Sequence, residues 1–136
     1  TVELLWQGNW AYALEHGMDV MFGCASIPGV RPEAMALPLS FLFHNCLATG
    51  EWSVSARPEL FQNMDLMPKE AVDTRSAVNA LPPLLKGYLR LGAVIGDGAV
   101  VDYAFGTTDV MVVLPISRIS DRYLNYYKAD ASRFAS

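Results

Sequence analysis

The sequence predicts an α/β domain, a mixed sheet flanked by helices, on two observations. Apolar residues recur at steps of three and four in several segments, the spacing of one helix face, and short β-branched or apolar runs bounded by glycine and proline lie between those segments. The resulting order is helix, strand, helix, an irregular excursion, two short helices, a group of strands and a last helix, which is the alternation of an α/β chain. With 136 residues, 52% of them apolar, the chain is long enough to be one domain, residues 1–136, with its own core, and no repeat or low-complexity tract divides it.

The first helix is expected over Val2 to His16, where Leu5, Trp6, Trp10, Ala13 and Leu14 share a face and Gly17 follows as a stop. Asp19 to Ser26 is short and apolar and runs into Pro28-Gly29, which suits a strand buried on both faces. Pro32 and Glu33 open a second helix that runs through Leu47, kinked near its start by Pro38 and ended by Ala48-Thr49-Gly50. Glu51 to Met67 contains Pro58 and has neither period, so it reads as an irregular excursion with room for a short strand. Lys69 to Asn79 and Pro82 to Leu91 read as two short helices, the second started by its prolines and stopped by Gly92. Ala93 to Ile95, Ala99 to Val101 and Asp109 to Leu114 then read as neighbouring strands. Ser117 is suited to cap a last helix over Arg118 to Tyr127.

Composition excludes several classes. A net charge of −4 disfavours general attraction to nucleic acid, which needs a concentrated positive face. No apolar run reaches the roughly 18 residues of a membrane span, because the richest stretch, Ala34 to Leu47, is broken by Pro38, Ser40, His44 and Asn45. The first residues carry no basic leader followed by an apolar block, so no secretory signal is expected. Cys24 and Cys46 form neither a CxxC pair nor a disulfide framework and are read as reduced, cytosolic thiols. His16 sits at a helix end and His44 has no second ligand three or four residues on, so no metal site is expected.

The most distinctive wording lies between Leu81 and Leu114, LPPLLKGYLRLGAVIGDGAVVDYAFGTTDVMVVL, which joins a cationic helix to a glycine turn and an apolar strand. From about Val2 to Tyr127 the chain resembles the C-terminal half of the bacterial L-ornithine N-alpha-acyltransferases, the hemolysin-like branch of the GNAT acyltransferase superfamily. The resemblance implies a GNAT-like fold whose N-terminal strands and phosphate-holding glycine loop lie upstream of Thr1. It further implies an N-acyltransferase that moves a 3-hydroxyacyl group from acyl carrier protein to the α-amine of ornithine, giving lyso-ornithine lipid. No bound cofactor is expected; the donor substrate is the acyl-phosphopantetheine of the carrier, or acyl-CoA. Peripheral work at the cytosolic membrane face follows, and an unpaired sheet edge would invite association of copies. The competing readings are another amine acceptor, or a non-catalytic module that holds acyl carrier protein or dimerises.

Acyl transfer from a thioester to an amine needs a deprotonated amine, donors for the developing oxyanion and a proton for the departing thiolate. On the resemblance, Met21 to Ser26 is one of two strands that splay to receive the pantetheine arm, which sets the backbone of Gly23, Cys24, Ala25 and Ser26 beside the donor. Because the superfamily's transfer is direct and a lone cysteine is usually core, Cys24 is read as a buried core thiol ahead of a nucleophile, and Ser26 is equally suited to substrate or to capping the next turn. Lys86 and Arg90, four apart on one helix face, suit a phosphate or an acidic carrier surface, or are simply a solvated face; Arg118 and Arg122 repeat the pattern. Tyr88 is a candidate general acid for the thiolate, or a half-buried aromatic. Asp109, opening an apolar strand, is a candidate to bind the amine or orient a base, or only a turn ligand. Gly96-Asp97-Gly98 lacks the GxGxxG spacing and reads as a tight turn or bulge, and Trp6, Trp10 and Trp52 read as core or interface anchors.

Overall fold

The computed structural model describes residues 20–116. The first and last predicted helices, with Ser117, Arg118 and Arg122, lie outside them.

Four strands form one sheet: β1 (Val20–Pro28), β2 (Val94–Ile95), β3 (Val100–Asp102) and β4 (Thr107–Pro115). β4 is the hub. It pairs antiparallel with β1 over its whole length, from Val20 opposite Pro115 to Pro28 opposite Thr107, and with β2 and β3 on its other side. Every ladder is antiparallel, and the parallel component of the mixed sheet is confined to two isolated bridges, Leu47 with Ile95 and Ser55 with Asp97.

Alternation along a strand assigns each side chain to a face. Ala25, Ile27, Val110, Val112 and Leu114 point inward and are almost fully buried, while Phe22, Cys24 and Ser26 on the other face are exposed. β1 is therefore one-sided, not buried on both faces as its composition suggested. Its outer face carries the apolar Phe22 and the small Cys24, so the alternation is hidden in a run that reads as uniformly apolar.

The inner face is covered by helices α1 (Ala36–Cys46), α2 (Thr74–Ala80) and α3 (Pro83–Arg90). A 3-10 turn, Pro32–Met35, precedes α1, and the break falls at Met35, with ψ of 28°, rather than at Pro38, which sits buried in the first turn. Asp73 caps α2 by accepting from the Ser76 N–H, so the helix predicted from Lys69 starts later, after a separate 3-10 turn at Lys69–Ala71. Leu39, Leu42, Leu85 and Ile95 meet in the core at zero exposure, each contributing roughly 1.5–3 kcal/mol by burial. Gly92, at φ 103°, turns the chain from α3 into β2, and the Ala93 N–H returns to the Tyr88 carbonyl.

β2 and β3 do not lie side by side; they continue one another along β4. Ile95 pairs with Val112 and Val100 with Asp109, so the four residues Gly96 to Ala99 stand opposite only Val110 and Met111. Gly96-Asp97-Gly98 is thus part of a bulge. Gly98 has φ 85° and lies flat against the Phe61 ring, where any Cβ would collide.

The excursion from Leu47 to Met67 forms no strand of its own, but it stitches the edge of this segment. The amides of Ala48, Ala56 and Gln62 donate to the carbonyls of Ile95, Asp97 and Ala99, each at 2.8 Å. Its far end is clamped to α1. The Oγ of Ser40, fully buried, accepts from the amides of Leu66 (3.1 Å) and Met67 (2.9 Å). One turn on, His44 Nε2 lies 2.8 Å from the Met67 carbonyl and 3.1 Å from Asp65 Oδ1. Ser40→Ala leaves two amides without their acceptor, and we expect a loss of about 1–3 kcal/mol in urea unfolding, with faster hydrogen exchange at Leu66 and Met67.

Candidate active site

Two regions bring candidate residues together, one on each face of the β1–β4 pair. On the helix side, a cleft of about 110 Å³ is lined by Met21, Phe22, Gly23, Cys24, Tyr88, Val112 and Leu114. β1 forms one wall, and among the described residues no strand pairs with its other edge, so part of its backbone N–H and C=O groups face outward. α3 supplies the opposite wall. Leu85 and Leu81 anchor that helix in the core, which leaves Tyr88 half-buried at the cleft with its ring against the core cluster. The fold thus brings Tyr88 together with Gly23 and Cys24. Ala25 is buried with its side chain in the core, so only its backbone is available to a ligand.

Lys86 and Arg90 do not line this cleft. Lys86 Nζ donates to the Asn79 carbonyl at 3.5 Å, and Arg90 is exposed and makes no ion pair among the described residues. They form a cationic flank on α3, away from the Tyr88 wall.

On the outer face, Asp109 Oδ1 accepts from Ser26 Oγ at 2.7 Å and from Thr107 Oγ1 at 2.9 Å. Ser26 is the cross-strand partner of Asp109, which separates it from Tyr88 although both were expected near the donor. Asp109 lines a cleft of about 230 Å³ with Cys24, Val54, Val100 and Met111. A second cleft of about 230 Å³, bordered by Phe22, Trp52 and Val113, adjoins it at Val54 and Met111. Trp52 is therefore a cleft wall rather than a core residue. Sequence reasoning missed Thr107, although its position two residues before Asp109 on one strand puts both on one face. It also missed Val54, which only the tertiary path of the excursion delivers.

Cys24 is exposed, not in the core, and borders both regions, whereas burial pushes the Cys46 thiol up to about 11. Among the described residues no group of three or more His, Cys, Asp or Glu is arranged to hold a metal, and no helix is long and apolar enough to cross a membrane.

Over all 136 of its residues the chain is 70% identical to a protein of Rhizobium meliloti (strain 1021) named L-ornithine N(alpha)-acyltransferase, and it covers 46% of that protein. The resemblance to the L-ornithine N(alpha)-acyltransferases thus holds along the whole chain. Agrobacterium fabrum has a protein of the same name that is 68% identical over 133 residues, of which the chain covers 45%. In Rhodobacter capsulatus the corresponding figures are 41% identity over 124 residues and 47% of the relative. The chain spans about half the length of the curated relatives it matches. No family profile and no solved structure matches it.

The two thiols give a direct check on the geometry. At pH 8 only about one Cys46 in a thousand is thiolate, so iodoacetamide is expected to label Cys24 first by mass spectrometry, with urea exposing both. Because the folded pKa lies above the unfolded one, the contribution of Cys46 to stability is full below the ordinary thiol range and falls as pH rises toward 11.

Proposed function

We propose that this chain carries part of the active site of an N-acyltransferase that moves a 3-hydroxyacyl group from acyl carrier protein to the α-amine of ornithine, giving lyso-ornithine lipid. The observation that supports it best is the cleft that Tyr88 lines together with Gly23 and Cys24 of β1, whose other edge pairs with no strand among the described residues. An open strand edge pairs with an extended amide-bearing arm as it would with another strand, and phosphopantetheine is such an arm. The neutral amine attacks the thioester carbonyl, the C–N bond forms as the C–S bond breaks, the phenol of Tyr88 gives its proton to the departing thiolate, and the proton shed by the attacking nitrogen returns the phenolate to phenol. Backbone N–H groups at the strand edge are suited to the oxyanion.

Lys86 and Arg90 offer their charge to the phosphate of the arm or to the acidic surface of the carrier. Asp109, on the outer face of β4, is suited to the cationic acceptor, so the two substrates meet beside β1 at Cys24, which borders both clefts. The product's long chain leaves through transient contact with a membrane surface.

The test is a mass-spectrometric assay of the whole gene product with 3-hydroxyacyl carrier protein and a mixture of ornithine, lysine, glycine and serine. N-acylornithine above the other products supports the reading, and no acylated amine from folded protein with intact donor would sink it. Tyr88→Phe is expected to lower kcat by about 100-fold with little change in either KM. The charge reversal Lys86→Glu with Arg90→Glu should raise KM for the carrier protein, most strongly at low salt.

A further inference from the structure

Asp109 is held in a way that a turn ligand would not need. Its Oδ1 takes both hydroxyl protons, from Ser26 at 2.7 Å across the ladder and from Thr107 at 2.9 Å along its own strand. Two donors from two strands on one oxygen fix the rotation of the carboxyl group. No donor among the described residues reaches Oδ2, and no cation pairs with Asp109 there. The cleft it lines is otherwise formed by uncharged residues, with Val54, Ala56, Val100 and Met111 giving it an apolar wall. A fixed carboxylate at such a wall matches a short methylene chain that ends in an ammonium group, because the apolar wall suits the methylenes and the carboxylate forms a charge-assisted hydrogen bond with the ammonium.

We propose that Asp109 reads the side-chain ammonium of the acceptor amino acid, and that Ser26 and Thr107 are positioning residues that aim it. This rests on the reading above, in which the α-amine of ornithine is acylated. The α-amine must shed its proton to attack, whereas the side-chain amine, with an ordinary pKa of about 10.4, stays charged throughout and can hold one partner from binding to release. Ser26 then belongs with the acceptor and not with the donor.

The experiment compares ornithine with norvaline, which has the same carbon skeleton without the terminal amine, as acceptors for the whole gene product. Asp109→Asn is expected to lower the kcat/KM preference for ornithine over norvaline by about 10- to 100-fold, through the KM for ornithine. Ser26→Ala and Thr107→Val should each lower the preference several-fold, should add nothing in combination with Asp109→Asn, and Ser26→Thr should restore it. If Asp109→Asn impairs both amino acids alike, Asp109 does not read the side chain. If it abolishes the preference while Ser26→Ala and Thr107→Val retain it, the positioning roles are overturned. Failure of the unaltered enzyme to acylate either amino acid would instead overturn the acyltransferase reading, and this inference with it.

Discussion

The antiparallel ladder between β1 and β4 is the constraint on which the rest depends. Its register decides which residues meet, and burial on the inner face decides its register. A slip of β1 by one residue would turn Ala25 and Ile27 out of the core, while β4, held by β2 and β3, keeps Val110, Val112 and Leu114 inward. At roughly 1.5–3 kcal/mol for Ile27 alone, that loss exceeds the ~1 kcal/mol of an exposed hydroxyl–carboxylate contact. The core therefore imposes the meeting of Ser26 with Asp109; those two polar groups do not bring it about. An exposed polar cluster is positioned by apolar packing on the reverse side of the same strands.

The second side of β4 is secured differently. β2 and β3 are too short to be stable as an edge, and a bare edge is prone to wrong pairing. The excursion bonds to Ile95 at the end of β2 and to Asp97 and Ala99 in the stretch that joins it to β3, while Ser40 and His44 on α1 fasten its far end. The same path carries Trp52 and Val54 to the outer clefts. Edge protection and cleft building are thus one use of an irregular segment, and this explains how seventeen-odd residues without periodicity are held in a defined course.

Much of this was legible in the sequence where local chemistry is decisive. The α/β order, the proline start of α3, the glycine stop at Gly92 and the bulge at Gly96-Asp97-Gly98 follow from backbone preferences that a few residues set. Tyr88 and Asp109 were singled out by residue type, and the fold sets each at a cleft, while the likeness of Leu81 to Leu114 to the acyltransferases extended to the whole chain. What was hidden depends on distant partners. The one-sidedness of β1 was masked because its outer face also carries apolar Phe22. The clamp at Ser40 was invisible because a serine in an apolar helix gives no sign of the amides it receives from a loop far along the chain. Lys86 and Arg90 were correctly paired on one helix face, but their separation from the Tyr88 wall follows from how Leu85 seats the helix.

The bulge between β2 and β3 has a property that concerns parity. Because four residues face two, the surplus is even, and Val100 emerges on the same side of the sheet as Val94 before it. A single inserted residue has to be absorbed within this non-strand stretch, as bulges do; otherwise Val100 would turn away from Asp109 and Val101 would take its place. An inserted pair keeps the alternation either way and only enlarges the loop under Phe61.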